Sequence, residues 1–140
     1  MRKEPQGAVK PNFSGDYVLD RQACALAQHA SAITSARMQV RHDDPRFACS
    51  ARFASDNDAM EFAFERFTDG RTTGASSDEA SRCYWDADTL VSEDRMGTGD
   101  ANVVMTWRYE LIADTRRLRA TERIRGGGRD QDNVWEFDRQ

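Results

Sequence analysis

The stretch that decides the fold is Phe13-Ser14-Gly15-Asp16-Tyr17-Val18-Leu19-Asp20, in which one set of alternate positions is mostly apolar. Alternation with a period of two predicts a β-strand with one buried face, and Phe13, Tyr17 and Leu19 share that face. Similar short segments, separated by turn residues, continue as far as Phe137. Such a series predicts a single antiparallel sheet that closes on itself.

The same pattern predicts nine further strands, at about 36–42, 46–54, 59–67, 71–74, 79–85, 89–95, 103–111, 117–125 and 132–138. We therefore predict an all-β fold, an antiparallel up-and-down β-barrel of about 8–10 strands. Residues 21–33 contain five alanines and place Leu26, Ala30 and Ile33 at helical spacing. This segment predicts one short helix after the first strand, lying across one end of the barrel.

Length and charge restrict the organisation of the chain and its partners. The 140 residues suffice for one domain, predicted at 12–140 after a flexible arm at 1–11. The net charge of −4 argues against nucleic acid as a partner, and no apolar run is long enough for membrane insertion. The first residues lack the apolar segment of a signal peptide, so we expect a cytoplasmic protein, or an exported one if a leader was removed.

The cysteines and histidines do not form a metal-binding pattern. Cys24, Cys49 and Cys83 include no CxxC pair, and their odd number suits buried thiols in a reducing compartment. His29 lies five residues after Cys24, which is not the i, i+4 spacing of two ligands on a helix. We predict no metal site and no cofactor.

The side chains expected to point into the barrel are bulky, and such side chains suit the wall of an apolar ligand pocket. A barrel of this strand number is often hollow. The alternative is that the same side chains fill the barrel as a solid core. The predicted ligand-binding residues are Tyr17, Met38, Phe47, Phe62, Phe64, Met105, Trp107, Tyr109, Asn133 and Trp135.

Three titratable residues lie on otherwise apolar faces of the predicted strands: His42, Asp94 and Glu122. A carboxylate inside an apolar barrel must be paired, neutralised or functional, because an unpaired buried charge is costly. Each of the three is therefore a candidate acid or base catalyst. The alternative is a structural role, or a place at the barrel rim where water reaches the side chain.

Two sequence phrases resemble those of small bacterial lipocalin-like domains, which belong to the calycin superfamily together with lipocalins and fatty-acid-binding proteins. These domains open with F-x-G-x-W-x-L-D, and residues 13–20 match it except that Tyr17 replaces the tryptophan. They also carry W-D-x-D-T-L-V, which residues 85–91 match. The resemblance implies a calycin barrel over about 12–138.

The resemblance also bears on the ligand. The last strand of fatty-acid-binding proteins carries an R-x-Y pair that grips a ligand carboxylate, and the matching positions here hold Asn133 and Trp135. The resemblance therefore implies a neutral or differently charged ligand rather than a fatty acid.

Two functions are consistent with this sequence. The first is binding of a small hydrophobic molecule inside the barrel, by a monomer or a weak homodimer paired through an exposed strand edge. The alternative is a barrel enzyme that isomerises, cyclises or eliminates from a small hydrophobic substrate. Such an enzyme would hold its substrate in a reactive conformation while His42, Asp94 or Glu122 moves a proton.

Overall fold

The computed structural model describes residues 10–76, 79–97 and 101–140, so most of the arm predicted at 1–11 lies outside the described residues. The described residues form ten strands and one short 3-10 helix, and no helix among them is long and apolar enough to cross a bilayer. The strands are Gly15–Leu19 (β1), Ser35–Asp43 (β2), Arg46–Ala54 (β3), Ala59–Phe67 (β4), Asp69–Ser76 (β5), Glu79–Asp86 (β6), Thr89–Met96 (β7), Val103–Ile112 (β8), Arg117–Arg125 (β9) and Gln131–Arg139 (β10). The predicted all-β architecture is confirmed.

The strands form one antiparallel sheet that curls into a nearly closed barrel. Their order is β4-β3-β2-β1-β10-β9-β8-β7-β6-β5, so the first and last strands of the chain are neighbours. The edges of the sheet are β4 and β5, which share no ladder among the described residues. Arg66 on β4 and Asp94 on β7 form an ion pair of 3.1 Å (Nη2 to Oδ1), which links one edge strand to a strand on the other side of the opening.

One strand is longer than its sequence pattern predicts. β5 extends over Asp69–Ser76, whereas alternation predicts only 71–74. Its pairing with β6 shifts register between Asp69 and Thr72, and again between Thr73 and Ser76. Such irregularities interrupt the period of two on which the prediction depends.

Alternation along the other strands separates the barrel interior from its outer surface. On β2, buried residues alternate with exposed ones along the whole strand. Successive side chains of a strand point to opposite faces, so a period of two in the sequence becomes one apolar interior face. The buried positions of β2 and β3 are Ala36, Met38, Val40, His42, Phe47, Cys49, Ala51 and Phe53.

Aromatic side chains fill one end of the barrel, which we call the closed end and define by Phe13, His42, Phe47 and Trp85. The ring of Phe13 stacks on Trp85 with a centroid distance of 6.1 Å and meets Phe47 edge-on at 6.2 Å. The ring of His42 lies between 5.6 and 5.8 Å from the other three. The segment preceding β1 therefore plugs this end of the barrel.

The segment between β1 and β2 contains much less helix than the sequence predicts. A short helix is present, but it is a single 3-10 turn at Arg21–Ala23, followed by non-helical turns. Ala25 forms a bridge to Val134 on β10, with N–O distances of 2.8 and 2.9 Å in the two directions. These backbone bonds to β10 replace the hydrogen bonds that a longer helix would make, so tertiary contacts override the helical propensity of the alanines.

Candidate ligand-binding cavity

A cavity of about 460 Å³ occupies the barrel interior beyond the closed end. Its wall is mostly aromatic and aliphatic, and it contains eight of the ten residues that the sequence predicts for ligand binding. These eight are Met38, Phe62, Phe64, Met105, Trp107, Tyr109, Asn133 and Trp135. The interior is therefore not filled completely by its own side chains.

The other two predicted residues, Tyr17 and Phe47, lie outside the cavity wall. The Tyr17 hydroxyl donates a hydrogen bond of 2.6 Å to the carbonyl oxygen of Phe13, so it is already used within the protein. Phe47 packs in the closed end. Both side chains face inward as predicted, but alternation indicates the face of a strand and not the depth along the barrel at which a side chain lies.

Several cavity residues were missed by the sequence prediction. Phe53 and Phe137 line the cavity and lie on the same inward faces as predicted residues, so the period of two contained the signal for them. His29, Ala30 and Ile33 come from the segment between β1 and β2. This segment has no strand periodicity, so no comparable signal pointed to its contribution.

The cavity opens to solvent beside the edge strand β4. Met60 and Phe62 line the cavity and are nevertheless 58% and 38% exposed. The Phe62 ring stacks on Phe53 at 5.6 Å and on Phe64 at 6.4 Å, which connects the opening to the interior. An apolar molecule thus has a continuous aromatic surface along which to enter.

Glu122 provides a carboxylate in the cavity wall. It lies on β9 and is 8% exposed. Its Oε1 atom accepts hydrogen bonds from Asn133 Nδ2 at 3.0 Å and from Trp135 Nε1 at 3.1 Å. Burial raises the pKa of Glu122 above its ordinary value, and the two hydrogen bonds limit that rise. Asn133 and Trp135, where the resemblance places an R-x-Y pair, thus both bind a carboxylate of the chain itself.

Asn133 also connects this carboxylate to the segment between β1 and β2. Its side chain is 1% exposed, and its Oδ1 atom accepts a hydrogen bond of 2.7 Å from the backbone N–H of Ala27. The side chain therefore binds Glu122 through its nitrogen and the connecting segment through its oxygen. The position of Glu122 and that of the segment over the cavity depend on the same residue.

Asp94, the second carboxylate in the cavity wall, already has partners. Its Oδ1 atom accepts hydrogen bonds from Arg66 Nη2 at 3.1 Å and from Ser81 Oγ at 2.5 Å. The Arg66 guanidinium also lies 4.9 Å from the centre of the Phe64 ring. The charge of Asp94 on β7 is thus compensated by a guanidinium on β4.

His42, the third acid or base candidate, lies in the closed end and not in the cavity. Its Nδ1 atom accepts a hydrogen bond of 3.1 Å from the backbone N–H of Phe13, so Nε2 carries the proton and donates it to Asp44 Oδ1 at 2.9 Å. Thr68 donates to the same oxygen at 2.7 Å. Burial alone would raise the pKa of Asp44, but the hydrogen bonds from His42 and Thr68 lower it overall. Both ring nitrogens of His42 are occupied.

Comparisons with known proteins bear on the fold. No protein-family model matches the chain, and no curated protein matches it in sequence. The structure is nevertheless similar to solved barrels, including an abundant heat soluble (SAHS) protein from Ramazzottius varieornatus, with a TM-score of 0.62 at 9% identity. That match covers 94% of this chain and 98% of the other. The fold is that of a fatty-acid-binding-protein-like calycin barrel.

Two further solved structures support this assignment of the fold. The fluorescent protein UnaG gives a TM-score of 0.59 at 11% identity, over 91% of this chain and 97% of UnaG. A fatty acid binding protein from Schistosoma mansoni, solved in complex with arachidonic acid, gives a TM-score of 0.57 at 11% identity, over 91% of this chain and 96% of that one. The calycin-type architecture predicted from residues 13–20 and 85–91 is confirmed.

Proposed function

We propose that this protein binds a small hydrophobic molecule inside its barrel. The observation that carries the proposal is the cavity of about 460 Å³, walled mainly by aromatic and aliphatic side chains and open to solvent beside β4. Ligand pockets commonly have volumes of roughly 300–1,000 Å³, apolar walls and a few polar groups that orient the ligand. The Schistosoma mansoni barrel, which has the same fold, is described in complex with a hydrophobic molecule.

The proposed ligand is not a fatty acid held by its carboxylate. No lysine or arginine occurs among the described residues of the cavity wall. The hydrogen-bond donors of Asn133 and Trp135 are used by Glu122, whose own charge would repel a second carboxylate. These contacts support a neutral or differently charged ligand.

The proposed binding unit is a single barrel, because one chain forms the whole cavity. We propose a monomer or a weak homodimer, since β4 and β5 are unpaired edges in the described part of the chain. A cytoplasmic location remains our proposal, and the three unbridged cysteines support it.

No contact within the described part of the chain favours the enzymatic alternative. His42 lies in the closed end with both ring nitrogens occupied, and Asp94 is paired with Arg66. Glu122 is the remaining candidate, and it has no second acid or base beside it among its hydrogen-bond partners in the described residues.

Titration with Nile red, an uncharged dye whose emission changes in apolar surroundings, tests the proposed function. We expect saturable binding to one site per chain, accompanied by a change in tryptophan fluorescence, since Trp107 and Trp135 line the cavity. Ala120→Leu adds volume inside the cavity and should weaken binding, whereas Ala63→Leu makes the same change at an exposed position of β4 and should not. Absence of saturable binding would refute the proposal.

A further inference from the structure

We infer that the ligand of the cavity carries a protonated amine, which forms an ion pair with Glu122. This inference rests on the proposed function, binding of a small hydrophobic molecule in the same cavity, and specifies the chemical class of that molecule. The inferred amine is the polar end of the ligand. The aromatic wall selects the apolar remainder.

The first argument is the unequal use of the two Glu122 oxygens. Oε1 accepts hydrogen bonds from both Asn133 and Trp135, whereas Oε2 receives none from the described residues. An ionised carboxylate has about four lone-pair sites, so Oε2 retains unused acceptor capacity. This oxygen can be reached from the cavity, because it is not one of the fully buried atoms without a partner in the described residues. A ligand N–H group can therefore donate a hydrogen bond to it.

The second argument is the charge of the cavity wall. Asp94 is compensated by Arg66, and the pKa of Tyr109 is raised well above 10 by burial, so its phenol stays neutral. Among the described residues the polar partners of Glu122 are the neutral side chains of Asn133 and Trp135, and it forms no ion pair with a lysine, arginine or histidine. An unpaired carboxylate in apolar surroundings favours a bound cation and disfavours a bound anion.

The third argument is the aromatic neighbour of Glu122 on the adjacent strand. Trp107 on β8 is the direct cross-strand partner of Glu122 on β9. The indole ring stacks on Tyr109 with a centroid distance of 6.0 Å and an interplanar angle of 4°. Side chains directly opposite each other have Cβ atoms about 4.5–5.5 Å apart, so an ammonium bound to Glu122 is within reach of the indole ring. A tryptophan ring attracts cations, which adds to the preference for an amine.

Three probes that share one ring system and differ in their polar group test the inference. They are 2-naphthylmethylamine, 2-naphthylmethanol and 2-naphthoate, titrated into the wild-type protein by isothermal calorimetry at about pH 7.5. We expect the amine to bind at least about tenfold more tightly than the alcohol, which corresponds to about 1.4 kcal/mol, and the carboxylate to bind most weakly. Equal affinities for the amine and the alcohol overturn the inference.

The variant Glu122→Gln assigns the preference to one residue. Glutamine keeps an oxygen for Asn133 and Trp135 but removes the charge, so the ratio of amine to alcohol affinity should fall to within about threefold. Glu61→Gln is the matched control, because Glu61 is exposed on the outer face of β4 and pairs with Arg52 at 3.0 Å. An unchanged preference in Glu122→Gln, or its loss in Asp94→Asn instead, overturns the assignment.

The outcomes separate this inference from the function on which it rests. Saturable binding of Nile red without preference for the amine refutes the inference alone, and failure of Nile red and all three probes refutes both. Circular dichroism shows whether Glu122→Gln is folded. If that variant does not fold, the ranking of the three probes on the wild-type protein still decides whether the amine is preferred.

Discussion

Replacing Asn133 by alanine is the most informative perturbation of the fold, because this buried side chain makes three hydrogen bonds. It donates to Glu122 Oε1 at 3.0 Å and to Gln131 Oε1 at 3.1 Å, and it accepts from the backbone N–H of Ala27 at 2.7 Å. A hydrogen bond to a charged group contributes about 1.5–3 kcal/mol and a neutral one about 0.5–1.5 kcal/mol. Because such contributions are not additive, we expect Asn133→Ala to lower the free energy of unfolding by about 3 kcal/mol.

Urea unfolding followed by tryptophan fluorescence measures this change, and the m-value should stay constant. Thermal unfolding should show a midpoint lower by about 10 °C, the scale for a domain of this size. Hydrogen exchange of the Ala27 amide should accelerate more than that of the β9–β10 ladder, because Asn133 binds it directly. Asn57→Ala, in the exposed turn between β3 and β4, is the control and should change stability by less than about 0.5 kcal/mol. A loss below about 1 kcal/mol in Asn133→Ala, with unchanged protection of Ala27, refutes the reasoning.

Three further predictions concern titration, reactivity and the closed end. Burial raises the pKa of Glu122 above 4.5 in the folded protein. The contribution of Glu122 to the free energy of unfolding is therefore complete below about pH 4.5 and is lost as the pH rises through the folded pKa. In urea titrations Glu122→Gln should therefore gain stability relative to the wild type as the pH rises above about 4.5, and a constant difference contradicts this. Burial raises the pKa of the Cys49 and Cys83 thiols to about 12, so a disulfide reagent should modify at most Cys24 in the native protein and all three thiols in urea. Modification of two or three thiols in the native protein contradicts this prediction. His42→Ala should lower stability by about 3 kcal/mol, since three aromatic rings enclose the imidazole, but leave Nile red affinity within about twofold. A large loss of affinity would instead place His42 in the binding site.

The strand pattern of this protein could be predicted well from its sequence. The segments 36–42, 46–54 and 117–125 each alternate regularly, and each becomes a strand with nearly the predicted bounds. Side-chain direction in a strand is a local property with a period of two, so it can be recognised without knowledge of tertiary contacts. β5 departs from its prediction because its register shifts remove that regularity.

The candidate site could be predicted only in part. The inward direction of Trp107, Tyr109 and Trp135 follows from alternation, and all three line the cavity. Tyr17 and Phe47 face inward as well but lie outside the cavity wall. Their depth depends on how the strands tilt and stagger around the barrel, which is a property of the whole sheet.

Apolar alternation by itself therefore determined that this chain forms an antiparallel barrel, and which side chains face its interior, because these properties depend on near neighbours along the chain. Only the tertiary structure decided that Asn133 and Trp135 bind Glu122, that Asp94 is compensated by Arg66, and that Ala25 pairs with β10 instead of extending a helix. These contacts join residues on different strands or connecting segments. Their energies depend on distance and burial in three dimensions, which closure of the sheet creates.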